Sequence, residues 1–201
     1  MPRTSDARER LIRNARRLFY ARGHTAVGVS EICLDANVQK GSFYHFFPGK
    51  RDLIIAVVDA EWDDFEDKVL RPTFESEMPP LEKIRRVFVF AHERQVHSKE
   101  RDGKALGCPF ANAAQELSVN DSFVRSRLDR LFLEWAKYFE GAIGEAIEAQ
   151  ELPLDTNPAK AAQRMLAYLE GLLLLAKTFN DPEIVSQLTP NRQQLASLCW
   201  T

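Results

Sequence analysis

Apolar residues recur every three or four positions along most of the chain, the period of a helix buried on one side. Leu11, Ile12, Ala15, Leu18 and Phe19 predict a helix from about Ser5 to Ala21, ended by Gly23. Val29, Ile32 and Cys33 begin a second, short helix that breaks at Ala36-Asn37-Val38. A third runs from near Gln39 to Phe47 and stops where Pro48 removes a donor and Gly49 loosens the backbone. A fourth starts after Gly49, carries Leu53, Ile54, Val57, Val58, Trp62 and Phe65 toward a core, and is expected to end before Pro72. Leu81, Ile84, Val87, Phe88 and Ala91 mark the next helix, after Pro79-Pro80. Gly103 and Gly107 bound a loop, and a helix follows from about Pro109 to Leu117. A long helix is expected from Asp121 to Gln150, and Asn157-Pro158 opens another that runs to Phe179. Asp181-Pro182 breaks it, and a short helix closes the chain. Nothing reads as a strand, so the predicted class is all-α.

The segment 28–47 has the form of a helix-turn-helix: two short helices joined by a turn of about four residues. Asn37 suits that turn because Asn tolerates the left-handed conformation. In such a motif the second helix reads the major groove and the first crosses the backbone. The second helix carries a cation, a bare backbone patch, a hydroxyl, a phenol and an imidazole (Lys40, Gly41, Ser42, Tyr44, His45), which suits a groove and its phosphates. Lys40 is the strongest candidate for a phosphate or base contact. Lys50, at the start of the fourth helix, is a candidate phosphate contact. Gly41 allows close backbone approach. Phe43, Phe46 and Phe47 are expected to lock the small helix onto its own core.

The stretch from Arg8 to Leu53 resembles the TetR family of bacterial transcriptional regulators. The likeness is carried by Ala15-Arg16-Arg17-Leu18-Phe19, Arg22-Gly23-His24 and Val29-Ser30-Glu31-Ile32. It continues through Ala36-Asn37-Val38, Lys40 to Phe47, and Lys50-Arg51-Asp52-Leu53. The resemblance implies a three-helix DNA-binding domain over residues 5–65 and a helical ligand-binding and dimerisation domain over 66–201. Two departures stand out. Asn37 occupies a turn where the family usually has Gly, and Gln39 caps the recognition helix where the family usually has Ser or Thr. Gln is the poorer cap by about 1 kcal/mol. Its longer amide adds Gln39 to the candidate DNA contacts.

Charge is distributed in keeping with that division. Residues 1–51 hold 10 Lys and Arg against 4 Asp and Glu, a net of +6; residues 52–201 hold 17 against 25, a net of −8. A basic head on an acidic body is what a DNA-binding module on a domain that does not touch DNA would show. No apolar run reaches the ~18 residues of a membrane span, and no hydrophobic signal segment follows Met1. Three widely spaced cysteines (Cys33, Cys108, Cys199) form neither a disulfide framework nor a zinc pattern, so a reducing cytoplasm is expected, with no metal and no cofactor.

The last two long helices suggest an interface. Ala162, Met165, Leu166, Leu169, Leu172, Leu173 and Ala176 form a wide stripe, with Leu174 and Leu175 apolar outside it. The family resemblance implies that this helix pair packs against its copy. That places Val124, Leu128, Met165, Leu169, Leu172, Leu173 and Ala176 in a dimer interface. The alternative is burial inside one subunit. Two heads reading palindromic double-stranded operator DNA need two-fold symmetry, which favours the homodimer.

Resemblance also implies an effector pocket, for which Phe88, His92, Phe110, Trp135, Tyr138 and Phe139 are the candidate lining. Aromatics at helical spacing also serve as plain core. Cys108 lies where a loop meets a helix, an arrangement that favours thiolate, and Arg101 and Lys104 lie just upstream. Gly107-Cys108 resembles the subgroup of the family that senses electrophiles and oxidants through a cysteine at this point, modified by reactive chlorine species, quinones or unsaturated carbonyls. The alternative is a small buried hydrophobe.

The expectation is a homodimeric, sequence-specific repressor released from its operator by a small hydrophobic or electrophilic effector. Two other classes of function compete with it. A thiol-dependent hydrolase would use Cys108, a base at His92 or His97, and Glu116 to orient it; no Gly-rich phosphate loop, metal cluster or nucleophile elbow supports an enzyme. An interaction protein that keeps the fold without binding DNA is opposed by the basic head.

Overall fold

The computed structural model describes residues 4–200, and among them every regular element is helical. Thr201, the end of the second predicted domain, lies outside the described residues. Helix α1 spans Thr4–Arg22, α2 Val29–Asp35, α3 Lys40–Phe46 and α4 Lys50–Phe65. A π-helical turn, Glu66–Leu70, leads into the short α5, Arg71–Phe74. Then come α6 Pro80–Asp102, α7 Pro109–Leu117, α8 Ser122–Glu148 and α9 Pro158–Phe179. Two short helices, α10 Glu183–Leu188 and α11 Arg192–Trp200, close the chain where one was expected.

The helix ends follow local chemistry. Gly23 takes φ +88° and donates its N–H to Phe19 O at 2.8 Å, ending α1 in a left-handed cap. Asn37 takes φ +50° in the α2–α3 turn, the conformation for which its residue type was read. Gln39 caps α3 without a side-chain hydrogen bond, as befits a poor cap. Asn157 accepts from Lys160 N at the start of α9, and Asn180 ends it at φ +52°. Helical structure continues past Pro72, contrary to expectation. The π turn restarts the chain at Arg71, so Pro72 falls in the first turn of α5, where its missing N–H has no intrahelical acceptor to lose.

The chain forms two compact units. The first comprises residues up to Asp64 together with Pro109–Asp129. Its core gathers Leu11, Leu18 and Phe19 of α1, Ile32 and Cys33 of α2, Phe43 of α3, Leu53, Val57 and Trp62 of α4, and Phe110 and Ala113 of α7. The second comprises Phe65–Cys108 and the described residues from Arg130 onward, so by packing 109–129 belongs with the reading head and not with the rest of the body.

In the second unit α9 lies against α6, α10 and α11. Met165, Leu169, Leu172, Leu173 and Ala176 are buried there within a single chain. Val124 and Leu128 are likewise buried in the first unit. These seven residues are buried within the single chain. A stripe this apolar is drawn into a core. The large apolar side chains of α9 left exposed are Leu174, Leu175 and Phe179. Cys33 and Cys199 are both buried, the latter despite its place near the terminus.

Candidate nucleic-acid interface and effector site

Helix α3 has two chemically distinct sides. Phe43 is fully buried and Phe47, just past the helix end, is buried with it, their rings 5.7 Å apart. Phe46, expected in the core, is only half-buried and stands edge-on to His45 at 5.2 Å. The other side presents Gln39, Lys40, Gly41, Ser42, Tyr44 and His45 to solvent. A Cβ at Gly41 would meet nothing within 4 Å, so its backbone faces open space. One helical period thus divides seven residues into an anchor and an exposed polar row.

The arginines of α1 hold the head together. Arg17 donates twice to Asp35 at 2.7 Å, Arg22 pairs with Glu31, and Arg16 pairs with Glu61 and Asp64. Arg10 bonds Asp6 at 2.5 Å and the carbonyl of Ala36 at 3.2 Å. Arg8 lies over the Phe47 ring at 5.4 Å.

Lys50 lies at the start of α4. Its ammonium points to the α1–α2 turn, 3.5 Å from Thr25 O and 6.0 Å above the Phe19 ring. Partial burial lowers its pKa, with the Glu116 charge opposing that. The ammonium is only part-buried, and one contact leaves donors over.

The predicted effector residues each have identifiable neighbours. Trp135 packs on Phe65 (4.8 Å) and Phe139 (6.4 Å), and Phe74 lies against Tyr138 and Phe139. Tyr138 donates to Glu66 at 2.6 Å; burial and that carboxylate push its hydroxyl up to about 12. Phe88 is buried with its ring 6.1 Å from Tyr168. His92 meets Glu183 at 3.2 Å. Phe110 sits in the other unit against Trp62, where it lines a cleft with Arg16, Phe19, Val57 and Pro109. Each of these aromatics thus has a ring neighbour within its own unit. Aromatics at helical spacing satisfied one another first, as plain core does.

Cys108 is buried, and the polar side chain beside it is the carboxyl of Glu170. Both Glu170 oxygens are buried with no nitrogen or oxygen donor in reach. Burial pushes that carboxyl up to about 7, and the thiol, a weak donor, pulls it only partly back. Arg101, expected to assist a thiolate, is bonded to Asp102 at 2.6 Å. Gln95 clamps the preceding residue, donating to Gly107 O at 3.2 Å and accepting from Gly107 N at 2.8 Å. The suggested hydrolytic trio is dispersed: Cys108 lies by Glu170, His92 by Glu183, and Glu116 by Thr25. Glu170 was invisible in the sequence, where it reads as an ordinary polar residue flanking the α9 stripe.

Comparison with known proteins joins these observations. The profile described as "Bacterial regulatory proteins, tetR family" matches residues 11–57, and "Tetracyclin repressor-like, C-terminal domain" matches residues 80–190. The chain belongs to the TetR family. Transcriptional regulator AcuR of Cereibacter sphaeroides is 30% identical over 94% of this chain and 84% of its own. HTH-type transcriptional repressor DhaR of a Mycobacterium species is 28% identical over 90% of this chain and 87% of its own. The crystal structure of a regulatory protein TetR from Rhodobacter sphaeroides superposes with a TM-score of 0.79 at 29% identity, covering 96% of this chain and 98% of that one. This TetR-family chain is a DNA-binding transcriptional regulator with the family's helix-turn-helix and C-terminal helical domains. Among the described residues no helix is long and apolar enough to cross a membrane.

Proposed function

We propose that the protein is a homodimeric repressor whose α3 reads palindromic operator DNA and which a small hydrophobic or electrophilic effector releases. The observation that carries the reading is the exposed row Gln39, Lys40, Gly41, Ser42, Tyr44 and His45, held rigid by buried Phe43 and Phe47. Lys40 supplies charge to phosphate and base edges, and the Tyr44 hydroxyl reaches a phosphate oxygen. The functional division falls between residues 5–65 and 66–201, with the two family profiles on either side of it. A relative at 28% identity carries the name repressor, which supports repression over activation here. Two copies meet through the exposed apolar residues Leu174, Leu175 and Phe179 of α9, since the buried stripe is already occupied.

The effector acts on the second unit, with Cys108 as the point of covalent attack. Only a difference in its affinity for the two states of the protein can release DNA. A coupling of about 3 kcal/mol would change operator affinity by a factor of order one hundred. The test is a fluorescence-anisotropy titration of duplex DNA from upstream of its own gene, with and without a mild thiol-reactive electrophile, on wild type and Cys108→Ser. Binding that the electrophile abolishes only in wild type supports repressor and thiol switch together. Binding indifferent to the electrophile keeps the regulator and returns Cys108 to packing.

A further inference from the structure

Arg22-Gly23-His24 marks the family likeness, yet none of the three belongs to the exposed row of α3. Beside the glycine, from 93 positions further on, lies Glu116 of α7. A Cβ added at Gly23 would lie 2.8 Å from Glu116 Oε1, in a backbone already at φ +88°. The left-handed conformation calls for glycine, and the missing side chain leaves the space that the Glu116 carboxylate occupies.

That carboxylate is gripped by the same turn. Thr25 donates to Glu116 Oε2 through its backbone N–H at 3.0 Å and its hydroxyl at 3.2 Å. His24, buried and stacked on Phe19 at 4.9 Å, holds Nδ1 3.6 Å from Glu116 Oε1. Lys50 closes the turn from the other side through Thr25 O. Burial raises the Glu116 carboxyl, but the Thr25 bonds and the His24 charge outweigh it and hold it below the ordinary carboxylate range.

Two further ties join the same inserted segment to α4. Arg51 bonds Asp121 at 2.5 Å and lies over the Phe123 ring at 5.1 Å, and Arg127 bonds Asp59 at 2.5 Å. All of these groups belong to the first compact unit. Three residues beyond Thr25, Gly28 caps α2. Whatever fixes the turn fixes the start of the helix-turn-helix.

We propose that Glu116 is a positioning residue: its clasp on Gly23-His24-Thr25 orders the turn ahead of α2, so that the placement of α7 sets the operator affinity of the reading head. A turn ordered before binding spares the entropy of ordering it on DNA. The clasp is closed in the DNA-binding form, and displacement of α7, whose first residue follows Cys108 directly, opens it. The inference rests on the DNA-binding reading of α3. By linkage, DNA must stabilise α7 as much as α7 stabilises the DNA complex.

The experiment uses full-length protein and duplex DNA from upstream of its own gene. Operator affinity comes from anisotropy, and protection of residues 110–118 from amide hydrogen exchange, with and without DNA. Wild type is expected to gain protection in α7 on binding DNA. Glu116→Ala is expected to bind roughly tenfold more weakly, the scale of lost charge-assisted hydrogen bonds, and to show no DNA-induced protection there. Thr25→Val, which removes only the hydroxyl, should fall between, and with Glu116→Gln it serves if circular dichroism shows that the alanine variant does not fold. A variant that melts earlier yet binds DNA like wild type, with α7 still protected by DNA, would reduce the clasp to packing and overturn the proposal. Wild-type α7 indifferent to bound DNA overturns it as well. A wild type that binds no DNA removes the regulator reading itself, a distinct result.

Discussion

Phe43 and Tyr44 are neighbours in the chain whose rings stand 5.1 Å apart at 87°, and they face opposite ways: the first is 0% exposed and the second 53%. One ring anchors α3 and the other is offered to solvent. The helical step of 100° per residue produces this division once the first ring enters the core.

The two substitutions should therefore separate stability from affinity. Tyr44→Ala is expected to weaken operator binding roughly tenfold, the worth of a hydrogen bond to a charged group, while far-UV circular dichroism and the denaturation midpoint stay near wild type. Phe43→Ala should cost about 3–5 kcal/mol of stability through loss of a buried aromatic. Unchanged affinity in Tyr44→Ala would take the phenol off the interface.

Stability should carry the signature of the buried carboxyl at Glu170. Its folded-state pKa, about 7, lies above the ordinary 4.5, so the folded chain holds a proton that the unfolded chain releases. Its contribution is fully present below 4.5 and is lost as pH rises through about 7. Glu170→Gln removes this dependence. The variant should gain on wild type as pH rises from about 5 to 8, by up to about 3 kcal/mol at the top of that range. Urea denaturation at successive pH values reads it, and parallel stability curves for the two proteins would rule it out.

On α9 the fold and the assembly should respond to different leucines. Leu169 is fully buried, and Leu169→Ala should destabilise the chain by about 2–5 kcal/mol. Leu174 is 49% exposed and Phe179 62%. The double variant Leu174→Glu, Phe179→Glu should keep its helical content and sediment as a monomer. A dimer that survives both carboxylates would place the interface elsewhere.

Local signals were legible in the chain because their causes are local. Asn37 in the turn, Gly23 after α1 and Pro158 opening α9 each act through a backbone preference that needs no distant partner. The exposed side of α3 was legible for a similar reason: a helix of seven residues with aromatics on one side has one way to be anchored. Pro72 misled because a π turn reset the register, and register depends on the packing of neighbouring residues.

The identities of partners across the chain were decided only by tertiary structure. An apolar stripe on α9 states that it will be buried but not whether its own subunit or a copy covers it; the subunit's core took Leu169 and left Leu174. Lys50 is a cation at a helix start in any reading, yet Thr25 O and the Phe19 ring claim its ammonium. Glu116 is one of 29 acidic residues, and nothing in the amino-acid order distinguishes it. Folding sets it against a turn 91 residues away, where two Thr25 donors and a glycine without a side chain make room for a single carboxylate. The sequence by itself determined the helices, the helix-turn-helix and the family, because periodicity and backbone preference are properties of short segments. Which carboxylate meets which turn, and which leucine remains for a partner, are properties of the packed chain.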